Sequence, residues 1–329
     1  MNRRKVLFIN HKDVQCGVYQ YCANIRDAFR ASQKYAVLYA ECSSDAELAV
    51  AIQETKPDIL IFNYYDDIMS WTHGLAKKYG LTSFGILHEG LQVNSGGVPK
   101  DLFDYWLCPD PTITDTDSIF RLVRMIPRFE GRQPVPPPGT FTIGSVGFGF
   151  PGKGFEHLVS LVQQQFESAH IRLHMPFNDV VDKNGLNYGL ATAQRCRDAV
   201  CKPNIELTIS HDFKTNTQVL EFLAGNTMNA FLYGYTASAG ERGISSAIDL
   251  ALAVDRPFAV TKCEMFRHLF HLRPSVCIED NQSFLGMVAN YDRNPHARLK
   301  EEWSEASFVR NLEEILDRVD ASSARKAIA

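Results

Sequence analysis

The sequence predicts a doubly wound α/β protein made of two parallel-sheet lobes that face each other across a cleft. Three observations carry this. Strand-like runs alternate with helical patterns along nearly the whole chain, a proline-rich stretch interrupts the alternation, and a glycine loop reopens it on the far side. At 329 residues the chain also exceeds the size at which one core keeps growing, so two domains of about 150 residues each are the natural division. Hydrophobic residues at 45% and charged residues at 22% are a globular composition and exclude a disordered or fibrous class.

Taken in order, residues 5–10 form a β-branched and aromatic run, followed by a loop with Gly17 and a helical pattern over 18–30. Further strands are expected at 35–40, 59–63, 82–87 and 105–108, with helical stretches at 45–55 and 70–79. This alternation implies a parallel sheet with helices on both faces. Residues 132–139 hold Pro134, Pro136, Pro137 and Pro138, which suit neither a helix interior nor a central strand and read as a linker. The pattern then restarts, with strands at 140–146, 170–175, 205–209, 230–233, 257–261 and 275–278. Helices are expected at 155–166, 216–223, 244–253, 282–290 and 301–319. The domain division is therefore 1–138, 139–300, and a closing helix with a frayed tail at 301–329.

Lys and Arg number 34 against 38 Asp and Glu, a net charge of -4, so no overall field draws the chain to nucleic acid. The eight cysteines are scattered without a CxxC pair, which indicates neither a zinc site nor a disulfide framework. The opening residues read as a first strand, too short for a secretory signal, and no apolar run is long enough to span a bilayer. A cytoplasmic, bacterial protein is the expectation.

The loop from Gly147 to Gly154 follows a strand and precedes a helix, which makes its N–H groups a natural cradle for phosphate. As GxGxxG it lacks the acidic residue expected at the tip of the next strand, where His174 and Met175 stand. As GxxxxGK it lacks the Ser or Thr that binds magnesium, since Gly154 takes that place. Glycines that only turn the chain are the alternative reading. Further on, Glu241 and Asp249 frame a loop and a helix start, at a spacing that lets both share one side of the element. Standing alone they would be a helix-terminal acid and a solvated charge.

They do not stand alone. The order of Lys-Gly loop, acid-x7-acid and a following "DRPFAVT" strand resembles the retaining GT-B glycosyltransferases that use nucleotide-sugar donors. In that family an Arg and a Lys of the loop clamp the donor diphosphate. Gly147, Lys153 and Gly154 fit the pattern, whereas Phe148 replaces the Arg, removing a charged contact worth about 1.5–3 kcal/mol. The resemblance implies that Glu241 approaches the donor sugar and Asp249 holds the ribose hydroxyls. It implies that Cys16, Gly17 and Val18 form the first-lobe glycine loop and that His88 lies near the reacting sugar. A purely structural His88 is the alternative. The family's last helix packs back on the first lobe.

The resemblance thus makes the first domain the acceptor side and the second the donor side. Lys153 and the helix start at Gly243, Ile244 and Ser245 would stabilise charge on the leaving diphosphate, with Arg242 supplying the charge missing at position 148. No metal and no separate cofactor is implied, the nucleotide-diphosphate sugar being a substrate. The acceptor, whether glycan, lipid-linked or small, is not specified, and peripheral membrane contact through the first domain stays open. Two other classes compete: a non-catalytic GT-B-like module binding a nucleotide or glycan, and a nicotinamide-dependent oxidoreductase, which the missing acid disfavours.

Overall fold

The computed structural model describes residues 3–75, 78–88, 102–130, 139–178, 185, 187–235 and 243–328, with side chains through 321. The chain divides into two compact units. Of the described residues, the first takes those through Met125, then Gly243, Ile244 and those from Glu302 on; the second takes those from Ile126 to Tyr235 and from Ser245 to Glu301.

In the first unit β1 (Arg4–Asn10) is followed by α1 (Gly17–Phe29), β2 (Tyr35–Glu41), α2 (Asp45–Thr55), β3 (Ile59–Phe62) and the short α3 (Asp66–Met69). Then come β4 (Thr82–Ile86), β5 (Tyr105–Cys108) and β6 (Ile119–Arg121). The strands form one parallel sheet in the order β2-β1-β3-β4-β5-β6. Alternate residues of β1 explain the layering. Val6 and Phe8 face a core with Phe29, Ile61 and Phe84, whereas Leu7 and Ile9 face another with Leu60, Phe62 and Trp106. Both faces are covered, as a parallel sheet requires.

The second unit runs β7 (Thr142–Val146), α4 (Phe155–Gln165), β8 (Ala169–His174), α5 (Tyr188–Ala199), β9 (Ile205–Ser210), α6 (Asn216–Ala224) and β10 (Met228–Phe231). It continues through α7 (Ala247–Ala253), β11 (Phe258–Val260), α8 (Phe284–Ala289) and α9 (Arg293–Glu302). Its parallel sheet has the order β11-β10-β7-β8-β9, the doubly wound dinucleotide-fold arrangement when strands are counted within the unit. The chain closes with α10 (Glu305–Ile328), whose Phe308, Leu312, Ile315 and Leu316 are buried in the first unit's core beside Phe29.

Four expectations are corrected. The helix expected at 70–79 is reduced to a 3-10 turn at Ser70–Thr72. The strand expected at 275–278 is only a bridge between Val260 and Cys277. The helix expected from 244 begins at Ala247, and the Ser245 N–H just before it bonds the Met265 carbonyl (3.1 Å). The closing helix is two helices, separated where Ser304 accepts the Ser307 N–H at its hydroxyl (3.2 Å) and starts α10 afresh.

Among the described residues no helix is long and apolar enough to cross a membrane, and no cluster of three His, Cys, Asp or Glu could hold a metal ion.

Candidate functional site

In an open parallel sheet, ligands bind beyond the carboxyl ends of the strands, where the crossovers part. In the second unit the crossovers part between β7 and β10, and the loop 147–154 leaves β7 there. Its course is fixed by glycines. Gly154 caps α4 in the left-handed region (φ 73), and a Cβ there would land on the Leu232 carbonyl that follows β10. Gly152 (φ 84) accepts the Gly234 N–H at its carbonyl (2.8 Å), and a Cβ on it would lie 2.5 Å from the Tyr235 ring. No side chain caps α4, so its first-turn N–H groups are not claimed by the N-cap residue, the condition for receiving an anion.

Lys153 stands between these glycines, its Nζ 4.2 Å from the centre of the Tyr233 ring. Tyr233 is buried and anchored: its carbonyl accepts from the Thr261 hydroxyl (2.6 Å), and its own hydroxyl is 3.2 Å from Ser245 Oγ. The fold therefore brings Lys153 and Ser245 onto one tyrosine, which sequence reasoning did not single out. Ser245 meets the site with its hydroxyl, since its N–H is spent on Met265. Asp249 lies buried in the first turn of α7, and Gly243 and Ile244 are half-buried and grouped with the first unit. Glu241 and Arg242 lie outside the described residues. Phe148 packs on Phe150 (centroids 5.7 Å apart), and Phe150 on Tyr188 at the start of α5, so this side of the loop is aromatic.

At the tip of β8, where a dinucleotide fold would hold a ribose with a carboxylate, stands His174. It is buried, bonded through Nδ1 to Ser210 Oγ (2.8 Å), and pushed down to about 4 by burial, so it is neutral. His211 Nδ1 donates to the Met175 carbonyl (2.9 Å) and its ring stacks on Phe177.

In the first unit the crossovers part between β1 and β3, and both strands run into an asparagine. Asn10 and Asn63 are fully buried. Asn63 Nδ2 donates to Asn10 Oδ1 (2.8 Å) and to the Val18 carbonyl in the first turn of α1 (2.8 Å). Its Oδ1 faces His88 Nε2 at 2.7 Å. His88, just beyond β4, keeps some exposed surface, and burial, with the neighbouring His11 adding, pushes its imidazole down to about 3. Gly17 opens α1 with no side-chain cap at Cys16, so Gly17 and His88 are joined through Val18 and Asn63.

By sequence, no family model matches the chain, and neither does any curated protein. By structure the chain is similar to HepE of Anabaena in complex with UDP-glucose, with TM-score 0.67 and 12% identity over 95% of this chain and 99% of that one. It is similar to AviGT4, a glycosyltransferase involved in avilamycin A biosynthesis, with TM-score 0.60 and 11% identity over 97% and 98% of the two chains. It is also similar to a mutant O-GlcNAc transferase of Thermobaculum terrenum, with TM-score 0.59 and 14% identity over 99% of this chain and 69% of that one. The fold is thus the one found in GT-B glycosyltransferases, two all-parallel α/β units.

Proposed function

We propose that the chain transfers a glycosyl group from a nucleotide-diphosphate sugar to a hydroxyl of an acceptor, with retention of configuration and without a metal. The observation that carries this reading is the loop after β7. Lys153 and an uncapped α4 stand together at the crossover point of a dinucleotide-type sheet, in a fold shared over nearly its full length with a protein in complex with UDP-glucose. In this reading Lys153 balances charge on the leaving diphosphate and Arg242 replaces the loop arginine. Glu241 lies against the donor sugar, Asp249 holds the ribose, and the first unit, through Gly17 and His88, takes the reacting groups.

A specific observation favours a second reading. Phe148 and Phe150 fill one side of the loop with apolar rings, which suits a protein that binds a nucleotide and has lost turnover. Melting curves with UDP, GDP, ADP and NAD, together with sugar-release assays on the matching nucleotide sugars, separate these outcomes. A nucleotide at a hundred times its Kd should add about 2.7 kcal/mol of stability. A shift with a nucleoside diphosphate plus sugar release supports the transferase, and a shift without release supports the second reading. A shift with NAD alone refutes both.

A further inference from the structure

We propose that Asn63 is a positioning residue that locks His88 into one tautomer, Nε2 protonated and directed at Asn63, Nδ1 presented as a hydrogen-bond acceptor. The tautomer follows from atoms that cannot change role. The Val18 carbonyl can only accept, so the amide nitrogen of Asn63 must face it, which turns Asn63 Oδ1 toward His88. That oxygen can only accept, so the proton between the two residues belongs to His88 Nε2. Asn10 secures the arrangement from behind. Its Nδ2 donates to the Tyr19 carbonyl (3.2 Å), which fixes its Oδ1 to receive both Asn63 Nδ2 and the His11 N–H (3.0 Å). Flipping Asn63 would set acceptor against acceptor at the Val18 carbonyl and Asn10 Oδ1. Flipping Asn10 would set acceptor against acceptor at the Tyr19 carbonyl and donor against donor at Asn63 Nδ2 and the His11 N–H. Both amides are fully buried, so either flip costs lost hydrogen bonds and leaves unsatisfied groups. Tyr21 meets the His88 ring edge to face at 5.1 Å and limits its rotation.

His88 Nδ1 has no partner among the described residues, and the residue keeps some exposed surface. A fixed lone pair at that atom selects a ligand that donates a hydrogen bond, such as a hydroxyl, and disfavours a carboxylate or phosphate oxygen, which would bring lone pair against lone pair. That the hydroxyl belongs to a sugar rests on the glycosyl-transfer reading above; the tautomer does not.

Long-range 1H–15N correlation spectra of the histidine-labelled, ligand-free protein at neutral pH test this directly, with His88 assigned from the signal lost in His88→Gln. The expected spectrum shows an unprotonated Nδ1 and an Nε2 whose proton exchanges slowly enough to be seen. In Asn63→Ser that proton should disappear and the two nitrogens should average. A wild-type His88 protonated on Nδ1, or already averaging, overturns the proposal, as does an Asn63→Ser spectrum identical to wild type. The wild-type spectrum decides by itself should Asn63→Ser fail to fold. Where turnover is measurable, Asn63→Ser should lower kcat/KM about tenfold or more, the size of effect seen when a partner that orients a histidine is lost. A locked tautomer in a protein that transfers no sugar would leave this proposal standing and remove the function.

Discussion

Gly149 tests whether the glycines of the loop serve ligand or fold. It has no unusual backbone angle, yet a Cβ on it would lie 2.6 Å from Gly189 Cα and 3.3 Å from the Tyr188 carbonyl at the start of α5. Carbon atoms prefer separations of about 3.5–4.0 Å, so the loop and the helix would have to part by roughly an ångström. Both neighbours are backbone and cannot swing aside. Overpacking of this kind costs about 1–3 kcal/mol. The same separation strains the buried bond from the Thr192 hydroxyl to the Gly149 carbonyl (2.7 Å), worth about 0.5–1.5 kcal/mol. Together Gly149→Ala should cost about 2–4 kcal/mol, or roughly 5–15 °C in the melting of a unit of this size. Gly139→Ala is the control. It has φ 85 and open space around it, so only the left-handed backbone is penalised, by about 1–2 kcal/mol. Thr192→Val removes the bond alone, and its effect should be less than additive with Gly149→Ala, because both act on one contact. A Gly149→Ala protein that melts within a degree of wild type would refute the packing argument, and so would full additivity.

Three further outcomes are expected. Phe308→Ala should destabilise the first unit by about 3–5 kcal/mol in denaturant unfolding, because the ring is fully buried against Phe29; a loss under about 1 kcal/mol would mean α10 contributes little to that core. His296, buried and stacked on Phe258, is pushed down by burial from its ordinary 6.5 to about 4. Its folded pKa lies below its unfolded one, so the unfolded chain binds the proton first and stability is lost as pH falls from about 6.5 to about 4. His296→Gln should flatten the fall in melting temperature over that window, and an unchanged slope would assign the acid sensitivity elsewhere. Lys153→Ala should leave the unliganded melting temperature nearly unchanged and weaken nucleoside diphosphate binding about tenfold or more, with Arg242→Ala doing the same. Unaltered affinity in isothermal titration would remove either residue from the clamp.

The parts of the fold visible in the sequence are those written in large apolar side chains. β1 and β3 carry Phe, Ile and Leu at strand length, and α4 carries Phe, Leu and Val at helix spacing. α5 was not visible, because its buried stripe of Gly189, Thr192, Ala193 and Cys196 is made of small residues and reads as no stripe at all. β6 is three residues of edge strand behind an Asp- and Thr-rich turn, too short to show a period. In the site, Lys153 and the glycine loop were legible because their residue types are rare in that order. Asn10 and Asn63 were not singled out, although a signal existed: residues 7–10 and 60–63 both end an apolar strand in asparagine, and register pairs Ile9 with Phe62, placing the two amides side by side. Tyr233 looked like any core aromatic, and only the path of β10 puts it under Lys153.

Along the sequence the second unit's residues fall between those of the first, whose core is completed only when α10 joins strands made from residues 4–121. During synthesis this ordering is enforced by the ribosome. At about 5–20 residues per second, Phe8, Phe29 and Phe84 wait on the order of ten seconds or more for Phe308 and Leu312 to emerge. Meanwhile the second unit has everything it needs to fold. The nascent chain therefore carries an apolar sheet face that α1 covers only in part, ahead of a finished domain, the kind of surface that chaperones hold and that stalled or truncated products would expose to aggregation.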